Sequence, residues 1–213
     1  MNFYTHAMVN GDQIFVRGVE NGKKFIRKEE FFPTMYLKSK KDSDWKTLMN
    51  ESVEEMKPGS IRDTRDFLKR YDDVEGFAVY GNNNYVQQYI SDNYKSEVKY
   101  DIDKIRALVI DIETTTEDGF PNIRTANEEI LLITLTDCRT YKSVCFGSRP
   151  CDHVDTDESK YILCNNEENL LKNFLMYWQA NYPDIITGWN TDQFDIIYTV
   201  NRIKRILGDA MAK

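Results

Sequence analysis

The chain has 213 residues, enough for one or two domains with substantial cores. A hydrophobic fraction of 41% with only 10 Gly and 5 Pro excludes disordered, collagen-like and low-complexity classes. The formal charge of −7 argues against nonspecific coating of a nucleic-acid duplex. With no apolar run of about 18 residues and no basic-then-apolar leader, the expectation is a soluble, intracellular protein with no membrane partner.

In chain order, Phe3 to Val9, Gln13 to Arg17 and Lys23 to Phe32 read as strands separated by the turn dipeptides Asn10-Gly11 and Asn21-Gly22. Phe32-Pro33-Thr34-Met35-Tyr36-Leu37 adds a strand, and the polar stretch Lys38 to Lys57 reads as a loop. Ser60-Ile61-Arg62-Asp63 has the form of a capping box opening a helix to about Tyr71, and a second helix is expected over roughly Asn84 to Ser91. These elements predict an α+β unit over residues 1–104. Its Lys23, Lys24, Arg27, Lys28, Lys38, Lys40 and Lys41 alternate with aromatics, a pattern of single-strand nucleic-acid binders but also of any half-buried sheet.

From residue 105 the pattern changes. Ala107-Leu108-Val109-Ile110 is a continuous apolar run, as in a strand buried on both faces, and it ends in Asp111-Ile112-Glu113. Ile130 to Leu135 and Tyr141 to Phe146 are further strands. Asn166 caps a helix carrying Leu170, Leu171, Phe174, Leu175 and Trp178 at helical spacing, and Ile185 to Trp189 is a fourth strand. A last helix starts at Asp192 or Asp195 and stops at Gly208. Three strands, then helix, strand, helix, give the ribonuclease-H-like order in an α/β domain with a mixed sheet, over residues 105–213. Cys138, Cys145, Cys151 and Cys164 show no paired spacing; reduced thiols are expected, and no common zinc-ligand interval joins them to His153.

Acidity is concentrated in the second part: 17 basic and 18 acidic residues precede Ile105, and 11 and 17 follow. Asp111 and Glu113, two apart on a strand, project to one face, and like charges there are costly unless a cation lies between them. Asp195 follows another strand end, where open α/β sheets gather ligands. A lone D-x-E is also common at solvated strand ends, and an Asp at a helix start also suits the dipole.

Asp111-Ile112-Glu113-Thr114 resembles the first exonuclease motif of family B DNA polymerases. Asn190-Thr191-Asp192-Gln193-Phe194-Asp195, after Ile185-Ile186-Thr187-Gly188-Trp189, resembles the second, and the likeness continues through Asn201-Arg202-Ile203. Phe32 to Tyr36 and Tyr89 to Tyr94 are similar to segments of T-even-type phage replicative polymerases. The resemblance implies an N-terminal domain followed by the first part of a 3′→5′ proofreading exonuclease domain. It implies that Asp111, Glu113 and Asp195 are catalytic and bind two Mg²⁺ or Mn²⁺ ions: Asp111 bridging, Glu113 on the ion carrying the water, Asp195 on the second. It also makes Phe120, in Gly119-Phe120-Pro121, a platform for the terminal base, with Asn190 and Phe194 contacting the terminal nucleotide.

The family's third motif, Tyr-x-x-x-Asp, carries the fourth acid, and no Tyr here is followed four residues later by Asp. The implied site is therefore incomplete and the chain inactive alone, as a piece of a split or a truncated polymerase. Implied partners are a single-stranded DNA 3′ end or primer-template, a downstream polymerase region or polypeptide, and a sliding clamp reached through it, in the cytoplasm of an infected host cell. Two other readings stand beside this one: a non-catalytic nucleic-acid-binding or assembly module, and a stand-alone nuclease with an unrecognised fourth ligand.

Overall fold

The computed structural model describes residues 2–116 and 119–212. The chain divides into two compact units, Met1–Lys104 and Ile105–Lys213.

In the first unit β1 (Phe3–Asn10), β2 (Gln13–Glu20) and β3 (Lys23–Glu30) form an antiparallel meander. Asn21 and Gly22 take φ of 51° and 76°, the left-handed pair that a tight hairpin turn needs. Alternation along β2 sends Ile14 and Val16 into a core shared with Phe31, Ile61, Tyr85 and Tyr89.

A second sheet has the order β5-β6-β4-β7, from β4 (Met35–Lys38), β5 (Trp45–Lys46), β6 (Ser52–Met56) and β7 (Val79–Tyr80). The expected loop over Lys38 to Lys57 thus contains two strands. Val53 is the one deeply buried apolar residue they contribute, so no alternating pattern announces them.

Helix α1 (Ile61–Tyr71) starts at the capping box: Ser60 Oγ accepts from the Asp63 amide at 3.3 Å, and Asp63 accepts from the Ser60 amide at 2.9 Å. Helix α2 (Tyr85–Asn93) is capped by Asn84. The basic and aromatic residues of this unit serve its own packing in two places. Arg27 lies over the Phe25 ring and pairs with Glu20, and Lys38 pairs with Glu51.

In the second unit the strands are β8 (Ala107–Thr114), β9 (Ile130–Asp137), β10 (Ser143–Gly147), β11 (Ser159–Leu163) and β12 (Ile185–Thr187), with α3 (Glu167–Ala180) and α4 (Asp195–Leu207). The sheet order is β11-β10-β9-β8-β12. Pairs β8/β9 and β9/β10 are antiparallel, while β10/β11 and β8/β12 are parallel. This is the expected α/β, ribonuclease-H-like mixed sheet. It has five strands, one more than the sequence pattern indicated, because β11 carries no buried residue.

Both helices bury against one face, where Leu108, Ile110, Ile112, Ile133, Leu135, Val144 and Phe146 meet Leu170, Leu171, Phe174, Tyr198 and Ile203. The expectation that β8 is buried on both faces is corrected: Leu108, Ile110 and Ile112 are core, whereas Val109 is half-buried and Asp111 and Glu113 are exposed. Among the described residues all four cysteines are free, and no helix is long and apolar enough to cross a membrane.

Candidate active site

Strand alternation places Asp111 and Glu113 together on the face of β8 opposite the core, both in solvent. Strand β12 pairs with β8 only as far as Val109, so from Ile110 onward the neighbouring edge is left to the segment that follows β12. That segment passes very close. A Cβ on Gly188 would lie 2.7 Å from the Ile110 carbonyl oxygen and would overlap Thr191 Oγ1, so glycine is required by proximity. The chain then turns, with the amides of Gln193 and Phe194 donating to the Asn190 carbonyl at 3.1 and 2.8 Å, and α4 begins at Asp195.

Asp195 is 5% exposed, and its carboxyl group lies near its own main-chain N–H and that of Ile112. It therefore sits beside the backbone link between Asp111 and Glu113. Burial is the main cause that raises its pKa above the ordinary aspartate value, and the negative charge of Asp111 adds to it; the two amides oppose the rise. A buried carboxylate facing a second one is an arrangement that a divalent cation relieves, and oxygen donors suit Mg²⁺ or Mn²⁺. The full expected cluster is not assembled, however. Among the described residues no group of three or more His, Cys, Asp or Glu side chains lies close enough together to hold a metal ion.

The structure brings two of the three expected substrate contacts together. Phe120 is 78% exposed, and its ring lies 4.9 Å from that of Phe194, which in turn stacks on the fully buried Tyr198 at 5.3 Å. An aromatic column thus runs from the core to the surface beside Asp195. Asn190 is exposed and shapes the turn through its carbonyl.

The family model described as DNA polymerase family B, exonuclease domain, matches residues 80–211, more than half of the chain. The chain belongs to DNA polymerase family B. It is 33% identical over 236 residues to the DNA-directed DNA polymerase of Enterobacteria phage T4 and 31% identical over 238 residues to that of Escherichia phage RB69. Each comparison takes in 99% of this chain and 26% of the relative, so the chain spans about a quarter of the length of the curated relatives it matches.

In this family B chain, α4 also grips the loop between β8 and β9, a role that motif spacing alone did not reveal. Tyr198 donates to the Glu128 carbonyl at 2.7 Å, Asn201 to Ile123 at 2.7 Å, and Arg202 to Ala126 and Asn127 at 2.8 Å. Arg202 also forms a bidentate pair with Glu167, whose Oε1 accepts from the Ile130 amide at 2.7 Å. The available signal was the spacing of Tyr198, Asn201 and Arg202, polar-tipped residues three and four apart on one helix face.

Proposed function

We propose that the chain contributes the 3′→5′ proofreading exonuclease site of a phage DNA polymerase, acting on single-stranded 3′ ends in the cytoplasm of an infected cell. The observation that carries this reading is Asp195, buried beside the Ile112 amide and within electrostatic reach of Asp111, in a chain that matches the exonuclease family model over both residues. Asp111, Glu113 and Asp195 are the residues to hold Mg²⁺ or Mn²⁺. Two such ions supply an activated water and stabilise the leaving 3′ oxygen.

The protein's own groups do the positioning. Phe120 and Phe194 offer ring faces on which a frayed terminal base stacks, a contact indifferent to base identity, and Asn190 lies in the turn beside them. With three acids and no Tyr-x-x-x-Asp among the 213 residues, the chain alone has little turnover. Activity requires the downstream polymerase region, on the same or a separate polypeptide, and through it a sliding clamp. Edge strand β12 with exposed Ile185, fully exposed Trp189, and Ile197 and Val200 on the outer side of α4 support such a partner.

A second reading, a nucleic-acid-binding or assembly module without turnover, is favoured by the absence of a closed three-donor metal group among the described residues. Single-turnover digestion of 3′-labelled single-stranded DNA, with and without a downstream polymerase polypeptide, separates the two. The exonuclease reading expects background hydrolysis alone, restoration on addition, and loss again with Asp111→Ala while polymerisation continues. No restoration favours the module. Robust digestion by this chain alone would indicate a stand-alone nuclease.

A further inference from the structure

The geometry points to Asn201 as the residue that positions the Phe120–Phe194 platform, an inference that rests on the proposed exonuclease reading. Several side chains tie α4 to the β8–β9 loop, Arg205 among them through the Thr125 carbonyl at 3.4 Å. Tyr198 and Arg202, both buried, hold the carbonyls of Ala126, Asn127 and Glu128, next to the start of β9. Those bonds hold the C-terminal part of the loop against the core. Asn201, half-buried, reaches the Ile123 carbonyl at 2.7 Å, three residues from Phe120.

The segment between the tie and the platform is stiff. The Ala126 amide donates to the Asn122 carbonyl at 2.9 Å, and Asn122 Oδ1 accepts from Arg124 at 2.9 Å and Thr125 at 3.3 Å, so residues 122–126 move as one turn. Between that turn and Phe120 stands Pro121, buried and with a ring-fixed φ. A pull on the Ile123 carbonyl is therefore transmitted to the Phe120 ring. On the helix side, Phe194, the residue just before α4, precedes Asn201 by seven residues, about two turns, so the two lie along the same side of the helix. Nearest Phe120, the loop is met by ring contact at Phe194 and by the side-chain amide of Asn201. Asn201 contacts neither base nor phosphate in this scheme; it is a positioning residue acting through Phe120.

The test uses the full chain, Ca²⁺ as the divalent ion, and single-stranded oligodeoxynucleotides carrying 2-aminopurine at the 3′ or the 5′ end. Stacking is read from 2-aminopurine fluorescence, affinity from anisotropy, and folding from thermal melting. Removing one side-chain hydrogen bond to the backbone shifts an equilibrium by roughly fivefold. The expected result is that Asn201→Ala weakens 3′-end stacking and affinity by about that factor, that Asn201→Gln, which keeps the amide donor, restores part of it, and that 5′ signals and melting change little. Phe120→Ala serves as the reference for the platform itself. Loss at the 3′ end with Phe120→Ala but none with Asn201→Ala overturns the positioning role alone. Equal losses at both ends with Asn201→Ala, tracking a lowered melting temperature, overturn it as well. A 3′ signal insensitive to Phe120→Ala removes the platform and this inference with it.

Discussion

Glu167 at the start of α3 and Arg202 in the middle of α4 close a bidentate ion pair inside the second unit, with Nε on Oε1 and Nη2 on Oε2, both at 2.6 Å. The Ile130 amide also donates to the glutamate, and the arginine also donates to two loop carbonyls. One pair therefore joins both helices, the first residue of β9 and the loop that carries Phe120. Breaking a buried pair strands the surviving charge, which typically costs about 3–5 kcal/mol. Arg202→Met is expected to lower stability by that amount in urea denaturation, and a double change that also replaces Glu167 with Met should recover part of the loss. A single-variant loss below about 1 kcal/mol would show that the pair is not buried as described.

Asp195→Asn is expected to stabilise the metal-free chain near neutral pH by about 1 kcal/mol. The side chain keeps the shape of the carboxyl group, while the buried charge and its repulsion from Asp111 are removed. The sign follows from the raised folded pKa. The native state holds this proton more tightly than the unfolded chain, so its stabilisation is complete below the ordinary aspartate value and is lost as pH rises through the folded value. The difference between wild type and variant should therefore grow from acid to neutral pH. Denaturation midpoints of the two proteins, taken in EDTA across that range, measure it; a constant difference contradicts the assignment.

Divalent cations should reverse that penalty. Binding to the native state alone stabilises by about 1.4 kcal/mol at ten times the dissociation constant. Mg²⁺ or Mn²⁺ at millimolar levels is expected to raise the wild-type melting temperature, to have a smaller effect on Asp111→Ala, and to leave Asp195→Asn nearly unchanged. Equal shifts in all three proteins would place the ions elsewhere.

Gly188→Ala tests the close passage between the β12 end and β8. The added methyl meets the Ile110 carbonyl oxygen, which is backbone of a paired strand and has little room to yield. Overpacking of this kind usually costs about 1–3 kcal/mol. Because the displaced segment leads directly into Asp195, Mg²⁺-dependent stabilisation should weaken along with overall stability. Retention of the full Mg²⁺ shift in the variant would separate the glycine from the site.

The elements that could be read from the sequence are those whose causes are local. Asn21-Gly22 turns because those two residues tolerate positive φ, and Ser60 with Asp63, like Asn166 before α3, starts a helix because a short polar side chain satisfies amides within the next turn. Asp111 and Glu113 share a face for the same kind of reason, the two-residue repeat of a strand. The strands β5, β6, β7 and β11 have no such local signature, because pairing with a neighbour, rather than apolar alternation, makes them strands.

Which face of β8 is core, where Asp195 lands, and what holds Phe120 were decided only by the tertiary structure. Both helices pack on one side of the sheet, which turns an apolar run into a one-sided strand and leaves its acids in solvent. Asp195 comes to lie beside the Ile112 amide because β12 stops at Thr187, a matter of strand length and register. The Asn201–Ile123 and Arg202–Ala126 bonds join residues 78 and 76 positions apart. Partners so distant share no local pattern, and only the folded chain, by closing the long loop between them, gives each donor its acceptor.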